Sequence, residues 1–205
     1  MRVDGKLRED ITAAVRQIEA GSAAQVVVTV VPRSAAHWDV ALAVALGAVA
    51  LVQAAAAAWF DATSASQVAL DSLLLALLAV GAVRGLHPLL RVLLPAPVAA
   101  RRVEHGAESA FCRQGIFRTR RRTGVLVYLS LLERRAVILP DDGVAHALPP
   151  EALATLRAQA ESLFRATDPR RALLDLLELL RRACARHLPR QADDVNELPD
   201  APVTS

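Results

Sequence analysis

Two long apolar stretches dominate the pattern of hydrophobic and polar residues along the chain. The first runs from Val40 to Phe60, and the second runs from about Ala65 to Leu86. As a helix each would be about 30 Å long, since the α-helix rises roughly 1.5 Å per residue, and this length matches the hydrocarbon core of a bilayer. The pattern therefore predicts a two-helix transmembrane hairpin within residues 38–94.

The residues at the ends of these stretches favour the same prediction. Trp38 and Trp59 flank the first stretch, in the positions that tryptophans of an aromatic belt take at the headgroup level. Asp71 lies near the start of the second stretch, where the helix dipole favours an acid. Arg84 lies near its end, where a long side chain can reach water. Both charges are therefore compatible with a membrane-spanning helix.

The distribution of arginines predicts the orientation of the hairpin. The connecting loop, residues 61–67, contains neither Lys nor Arg. The outer flanks carry several arginines, namely Arg33, Arg84, Arg91, Arg101 and Arg102. Because positive residues are retained on the cytoplasmic side, both termini are predicted to be cytoplasmic and the loop to lie outside. The expected location is the cytoplasmic (inner) membrane, in a multi-pass arrangement.

The segment before the hairpin has a different pattern. Apolar residues at helical spacing follow Asp4, a candidate N-cap, and this pattern ends at Gly21. The nearly continuous β-branched run Gln25–Val31 then stops at Pro32. A strand of this kind is usually buried on both faces, as in a sheet covered by helices. So short a segment cannot bury such a strand without partners from elsewhere in the chain.

The segment after the hairpin supplies those partners. Its apolar pattern predicts a helix, then a β-hairpin, then two amphipathic helices. In chain order these are a helix at Arg101–Gln114, strands at Val125–Leu132 and Ala136–Leu139 around the polar break Glu133–Arg135, and helices at Glu151–Phe164 and Arg171–His187. The dipeptide Asp168-Pro169 is a start signal for the last helix.

An even number of membrane crossings returns the chain to the side that it left, so the two flanking segments can form one domain. We therefore expect an α/β fold, a compact αβ sandwich with a central sheet, which the transmembrane hairpin interrupts. Residues 1–36 supply the first part of this domain and residues 97–188 the second. Residues 189–205 are expected to form an acidic, flexible tail.

Motifs for covalent or zinc-dependent chemistry are not found in the sequence. Cys112 and Cys184 are far apart and belong to no C-x-x-C or His-rich cluster, so neither a disulfide framework nor a structural zinc site is expected. Both are predicted to be small core residues. The chain also contains no G-x-S-x-G, no glycine-rich phosphate loop and no H-E-x-x-H.

Three carboxylates are the candidate metal ligands. Asp141 and Asp142 follow the end of a predicted strand, where open sheets often carry functional carboxylates. Together with Glu133 they offer hard oxygen ligands for calcium or magnesium. The alternative is structural, because Asp-Asp-Gly is also a common turn whose side chains accept backbone N–H groups.

A dense basic run is the candidate anion-binding or lipid-binding site: Arg118, Arg120, Arg121 and Arg122. Between Arg84 and Arg135 the chain has eleven arginines and three acidic residues. Such a patch would meet anionic lipid headgroups, hold a phosphate group bidentately, or remain a solvated surface. Nucleic acid is not an expected partner, because the region has few aromatic residues for base stacking.

Many of these positions resemble the core signature of the TPM domain family. The matching positions are Phe111, Gly115, Thr119, Arg122–Arg135, Asp141 and Gly143–Val144. Residues Ala13–Arg33 resemble the family's opening helix and strand, and His187–Arg190 with Asp193–Asp200 resemble the tail of its membrane-hairpin members. The resemblance covers nearly the whole chain and implies a compact α/β sandwich.

What the resemblance implies about function is less specific. One plant branch of the family is associated with acid phosphatase activity and photosystem repair, and some members bind divalent cations such as calcium. Bacterial members with a hairpin are mostly uncharacterised. This chain has Gln25 where many members carry Glu at the start of the first strand, and this difference weakens a metal site if that carboxylate contributes to it.

These observations lead to two functional hypotheses. The first is a membrane-anchored interaction or assembly module, with the lipid bilayer and a membrane or cytoplasmic protein as partners and with no obligatory cofactor. The second is an acid phosphatase that depends on a divalent cation, calcium or magnesium. It would use Asp141, Asp142 and Glu133, with arginines near Thr119 and Thr123 to orient the phosphate.

Overall fold

The structure, a computed structural model, describes residues 4–34, 38–59, 65–85, 95–190, 198 and 201–204. The chain divides into two compact units. Residues 1–35 and 100–205 belong to one, which we call the split unit, and residues 36–99 belong to the other, which we call the hairpin unit. Each is described by itself below.

The split unit is built around a small mixed sheet. Its strands are β1 (Gln25–Val31), β2 (Gly124–Ser130), β3 (Arg135–Pro140) and β4 (Val203–Thr204), in the order β3-β2-β1-β4. β1 runs parallel to both β2 and β4, whereas β2 and β3 are antiparallel. The β1–β2 register extends from Gln25 opposite Gly124 to Val31 opposite Ser130. The predicted strand before the hairpin and the predicted β-hairpin after it are therefore confirmed.

Both faces of this sheet are covered. Every residue of β1 and β2 is buried. Alternate residues face opposite sides, so Val26 and Val28 enter one apolar cluster while Val27 enters another. The first cluster joins the sheet to helices α1 (Gly5–Gly21), α6 (Pro150–Ser162) and α7 (Pro169–His187). The second joins it to α4 (Ala96–Arg113) and the 3-10 turn Ile116–Arg118.

Local capping signals position the helices of the split unit. The Asp4 carboxylate accepts the Leu7 N–H at 2.9 Å and so begins α1, as its sequence predicts. The Asp168 carboxylate accepts the N–H groups of Arg170 and Arg171, which lie in the first turn of α7. α1 and α7 pack against each other through their apolar faces. The short helix α5 (Asp142–Ala147) lies between β3 and α6.

The C-terminal end of the chain contributes a strand that the sequence does not indicate. β4 pairs Val203 with Thr29 and Thr204 with Val30. The Leu198 N–H also approaches the Gln25 side-chain oxygen at 3.3 Å. The described residues of this segment therefore lie along the outer edge of β1, and they cover part of a strand edge that would otherwise be open.

The hairpin unit contains two helices, α2 (Trp38–Trp59) and α3 (Ala65–Gly85). They pack against each other, and the Gln53 amide donates a hydrogen bond to the Ser72 hydroxyl between them. Many of their large apolar side chains are exposed: Leu42, Leu46, Leu51, Val52, Leu70, Leu73, Leu74, Leu77 and Leu78. Residues 61–64 of the predicted connecting loop 61–67 and residues 86–94 lie outside the described residues, whereas residues 65–67 belong to α3.

Within the described residues, no helix combines the length and the apolar character that a membrane crossing requires. The predicted transmembrane hairpin is therefore wrong, and so is the multi-pass inner-membrane location based on it. That prediction relied on the length of the stretches and on their scarcity of charge. α2 is built largely from alanine, whose single methyl group provides little apolar surface, and α3 carries Asp71 and Ser72 in its first half.

The fold class needs the same correction. The sequence predicts an α/β sandwich interrupted by a transmembrane hairpin, whereas the structure is mainly helical and has one small sheet. Only two of its strands, β1 and β2, have seven residues, while β4 has two. Helices thus provide most of the apolar surface that buries this sheet.

The core of the split unit provides a first test. Leu156 on α6 is buried, so Leu156→Ala should leave a cavity and lower the free energy of unfolding by about 2–5 kcal/mol. The adjacent Arg157 is exposed, and Arg157→Ala should change that free energy by less than about 0.5 kcal/mol. Urea denaturation followed by circular dichroism measures both. Equal effects of the two substitutions would contradict this packing.

Candidate functional site

Asp141 lies at the junction between β3 and α5. Its carboxylate accepts the Asp142 N–H at 2.8 Å, and Asp141 is thereby the N-cap of α5. The structural alternative for Asp-Asp-Gly, a carboxylate bonded to nearby backbone, is thus present in the fold. Asp141 is buried, with 3% of its side chain exposed, whereas Asp142 has 73% exposed.

Arg122 joins both aspartates. Its Nε lies 3.0 Å from Asp141 Oδ1, and one terminal nitrogen lies 2.9 Å from Asp142 Oδ2. Its backbone is in the left-handed region, with φ of 56°, and its carbonyl accepts the Gly143 N–H at 2.9 Å. We call Arg122, Asp141, Asp142 and Gly143 the Asp141 cluster. A charge-assisted pair with one buried partner holds this cluster together.

Two glycines allow the backbone segments to approach closely at this cluster. A Cβ atom at Gly143 would lie 2.3 Å from the Arg121 carbonyl oxygen. A Cβ atom at Gly124 would lie 2.4 Å from the Ile116 side chain and 2.6 Å from its carbonyl oxygen. The Gly124 carbonyl in turn accepts the Asp141 N–H at 2.8 Å. Glycine is required at both positions because no side chain fits.

One oxygen of Asp141 has no hydrogen-bond partner among the described residues. Its Oδ1 accepts from Asp142 and pairs with Arg122, but Oδ2 is buried and receives no hydrogen bond within the described part of the chain. An unsatisfied buried oxygen is costly, so this atom is a candidate acceptor for a donor from outside the protein.

Glu133 lies at the opposite end of β2. It is buried in the turn between β2 and β3. Its Oε1 accepts the Ser34 N–H at 3.3 Å, and its carboxylate also accepts a hydrogen bond from the Ser130 hydroxyl. β2 separates this end of the sheet from Asp141, which lies beside Gly124, and a seven-residue strand spans roughly 20 Å. The three predicted metal ligands therefore do not come together.

This separation bears on the calcium or magnesium ion that the sequence allows. Calcium takes six to eight oxygen ligands. Across the residues described, no group of three or more His, Cys, Asp or Glu side chains is arranged to hold a metal ion. The predicted three-carboxylate site does not fit such an ion, because Glu133 and the two aspartates lie at opposite ends of one strand.

The predicted arginine site lies in the turn between α4 and β2. Arg118, Arg120, Arg121 and Arg122 are all exposed. The Arg118 guanidinium stacks 5.5 Å from the Phe117 ring centroid, and Arg122 pairs with the aspartates. This segment therefore presents a basic surface beside the Asp141 cluster, and one of its four arginines belongs to that cluster.

Thr119 and Thr123, which the phosphatase hypothesis places near a phosphate, have a structural role instead. Both are buried. The Thr119 hydroxyl accepts the Thr123 N–H at 3.0 Å, and the Thr119 carbonyl accepts the Arg122 N–H at 3.0 Å. These bonds shape the turn that carries the arginines.

Sequence reasoning missed one buried acid, Glu19, and it missed the contacts of Gln25, the first residue of β1. The Glu19 carboxylate accepts the Val26 N–H at 3.0 Å, and Gln25 donates its backbone N–H to the Thr123 carbonyl at 3.0 Å. Both side chains are buried. A signal was available for Glu19, because it lies next to Ile18 on the otherwise apolar face of α1. A charged residue at such a position usually has a specific partner.

Comparison with known proteins provides evidence about the fold alone. No family model matches the chain, and no curated protein matches it. Among solved structures, the chain is similar to the NMR structure of BA42 protein from the psychrophilic bacterium Bizionia argentinensis, with a TM-score of 0.60 and 16% sequence identity. The similarity covers 100% of this chain and 97% of that one. At this identity the likeness concerns the fold and carries no function with it.

The Asp141 cluster provides a second test. Gly143→Ala should lower the free energy of unfolding by about 1–3 kcal/mol, because its Cβ would collide with two backbone carbonyls. Gly5→Ala is the matched control, since no atom lies within 4 Å of a Cβ there, and it should be neutral or slightly stabilising. Thermal or urea unfolding measures both. A Gly143→Ala protein as stable as the Gly5→Ala protein would contradict the close approach.

The cysteines behave differently from each other, and the prediction that both are core residues is wrong for Cys112. Cys112 is exposed, whereas Cys184 is buried on α7 and burial raises its pKa to about 12. We expect a thiol reagent such as dithionitrobenzoate at pH 8 to modify Cys112 in the native protein and to modify Cys184 only after denaturation. Cys112→Ser should abolish the fast reaction. A fast reaction that survives this substitution would contradict the burial of Cys184.

Proposed function

We propose that the chain is a TPM-type domain that acts as a non-enzymatic interaction or assembly module. The observation that supports this proposal is the use of the candidate catalytic carboxylates in the fold itself. Asp141 caps α5 and pairs with Arg122, and Glu133 bonds to Ser34 and Ser130. These carboxylates stabilise the two ends of β2. Of their oxygens, only Asp141 Oδ2 has no hydrogen bond within the described residues and is a candidate to bind a ligand.

The surroundings of Ser130 also argue against turnover. A hydrolase needs a nucleophile or an activated water beside its acid or base, within hydrogen-bond reach. Ser130, the hydroxyl nearest to a buried carboxylate, is itself fully buried in β2 and donates to Glu133. A substrate phosphate could not reach Ser130 without opening the sheet.

The TPM resemblance gains indirect support from where its residues lie. Arg122, Gly124, Asp141 and Gly143 are among the positions that resemble the TPM signature, and they contact one another through an ion pair and short backbone approaches. Contacts of this kind stabilise the folded chain. We therefore expect its residues to be important for stability rather than for chemistry, and we assign partner binding to the surfaces.

A phosphatase is the second candidate, and one observation favours it. Asp141 Oδ2 is buried without a hydrogen-bond partner in the described residues, and the basic surface of Arg118, Arg120 and Arg121 lies in the adjacent turn. The exposed guanidinium groups would bind a phosphate, and the carboxylate would bind a divalent cation that accompanies it. This candidate requires a divalent cation whose remaining ligands come from outside the three predicted carboxylates.

An assay with p-nitrophenyl phosphate separates the two candidates. The purified full chain should show no turnover above a heat-inactivated control at pH 5 or pH 7, with calcium or with magnesium. Asp141→Asn removes a charge at nearly constant shape, and Asp175→Asn is its matched control because Asp175 is exposed on α7 and belongs to none of the predicted sites. Neither substitution should change the rate, and calcium titration by calorimetry should release no heat beyond dilution.

The opposite result would identify an enzyme. Turnover that requires a divalent cation, is lost in Asp141→Asn and persists in Asp175→Asn would overturn the interaction-module proposal. Circular dichroism and an unfolding curve for each variant show whether the loss follows from unfolding or from chemistry.

A further inference from the structure

The most exposed apolar surface in the described chain belongs to the hairpin unit. On α3, five leucines follow the spacing i, i+3, i+4, i+7 and i+8: Leu70, Leu73, Leu74, Leu77 and Leu78. Their exposed fractions lie between 53% and 66%. At about 100° per residue these positions form one stripe along the helix, which is the pattern of a helix that packs against another helix. We call this stripe the α3 leucine face.

The α3 leucine face is not the surface that contacts α2. Ser72 accepts the hydrogen bond from Gln53 of α2, so the side of α3 that carries Ser72 faces α2. Leu75 and Ala76 are half-buried, and helical spacing places them on either side of Ser72. The leucine stripe is centred about 170° away around the helix axis, at roughly 100° per residue. The α3 leucine face therefore points away from α2.

Its size indicates a macromolecular partner. An exposed leucine offers on the order of 100 Å² of apolar area, so the five together offer about 500 Å². The largest apolar patch of a typical monomer is about 300–600 Å² and often functional. Two such faces packed together would bury about 1,000 Å², which reaches the lower limit for a specific protein interface.

The chemistry of the face restricts the partner. Its five side chains carry no charge and no hydrogen-bonding group, and exposed Asp71 lies at its margin, where it can stay in water. An apolar helix face of similar length is the matching surface. The α3 leucine face of a second copy of the chain has the same length and the same apolar character. Two α2–α3 hairpins joined in this way would form a row of four helices, with the two α3 helices in contact at its centre.

We propose that the α3 leucine face docks onto the α3 leucine face of a second copy of this chain, giving a symmetric dimer through the hairpin units. The interface is isologous, since the same patch is buried on both copies. This inference rests on the interaction-module proposal and names one partner for it. The split unit, with its Asp141 cluster, is not required for the contact.

Sedimentation velocity of the full-length chain in detergent-free buffer tests the proposal. The wild-type chain should sediment as a dimer. Leu74→Glu combined with Leu77→Glu places two charges in the middle of the face and should weaken dimerisation by at least about 100-fold, because a charge buried without a partner is strongly unfavourable. Circular dichroism should show that the helical content of this variant is retained.

Leu51→Glu is the matched control. Leu51 lies on α2, is 73% exposed and is two residues from Gln53, which places it on the side of α2 away from α3. This variant should remain dimeric. Dissociation caused equally by Leu51→Glu and by the α3 double substitution would show a general effect of charge, and it would overturn the specific face.

Lipid is the other possible occupant, and flotation with vesicles of phosphatidylcholine and phosphatidylglycerol tests it. Wild-type protein that floats with the vesicles as a monomer would overturn the proposal, as would a monomer or a polydisperse aggregate in buffer. The phosphatase assay remains independent of these results. If the wild-type chain is monomeric and shows no turnover, only the dimer inference is wrong. If the wild-type chain is dimeric and shows turnover that depends on Asp141, only the interaction-module proposal is wrong.

Discussion

The parallel pairing of β1 with β2 is the contact on which the split unit depends. It joins a strand near the start of the chain to one that follows α4, in a continuous register from Gln25 to Val31. The turns extend this pairing, because Leu131 and Leu132 donate to the carbonyls of Val31 and Pro32. With both strands buried on both faces, α1, α6 and α7 can pack on one side and α4 on the other. Neither segment could bury its strand alone.

The same pairing explains why the polar residues are separated into two groups. The N-terminal ends of β1 and β2 bring Gln25 beside the Thr123 carbonyl, and the Asp141 cluster forms at that end. The C-terminal ends bring Ser34 beside Glu133. Each group supplies hydrogen bonds or an ion pair to backbone or charged atoms that would otherwise be buried at the end of the sheet without a partner. The carboxylates thus contribute to folding, and a shared metal site is geometrically prevented by the length of β2.

Sequence reasoning predicted the elements of the split unit well because their signals are local. The Asp4 and Asp168 caps each act within three residues. The continuous β-branched run of β1 is by itself typical of a strand buried on both faces. It failed for the hairpin unit. There, length and low charge were treated as a membrane signal, although α2 is rich in alanine and α3 begins with polar residues. It also missed β4, whose two residues are too few to show a strand pattern.

The sequence by itself determined which of the longer segments become helices and strands, where several of them begin, and which faces are apolar, since these depend on interactions between residues a few positions apart. Only the tertiary structure decided which of the polar residues meet. Arg122 reaches Asp141, and Glu133 reaches the Ser34 backbone, because the sheet register brings distant segments together. It also decided that the leucines of α3 face outward, since α2 contacts the Ser72 side of that helix. The physical reason is that these contacts join residues that are far apart in the chain, so they depend on how the whole chain packs and cannot be predicted from a short stretch of sequence.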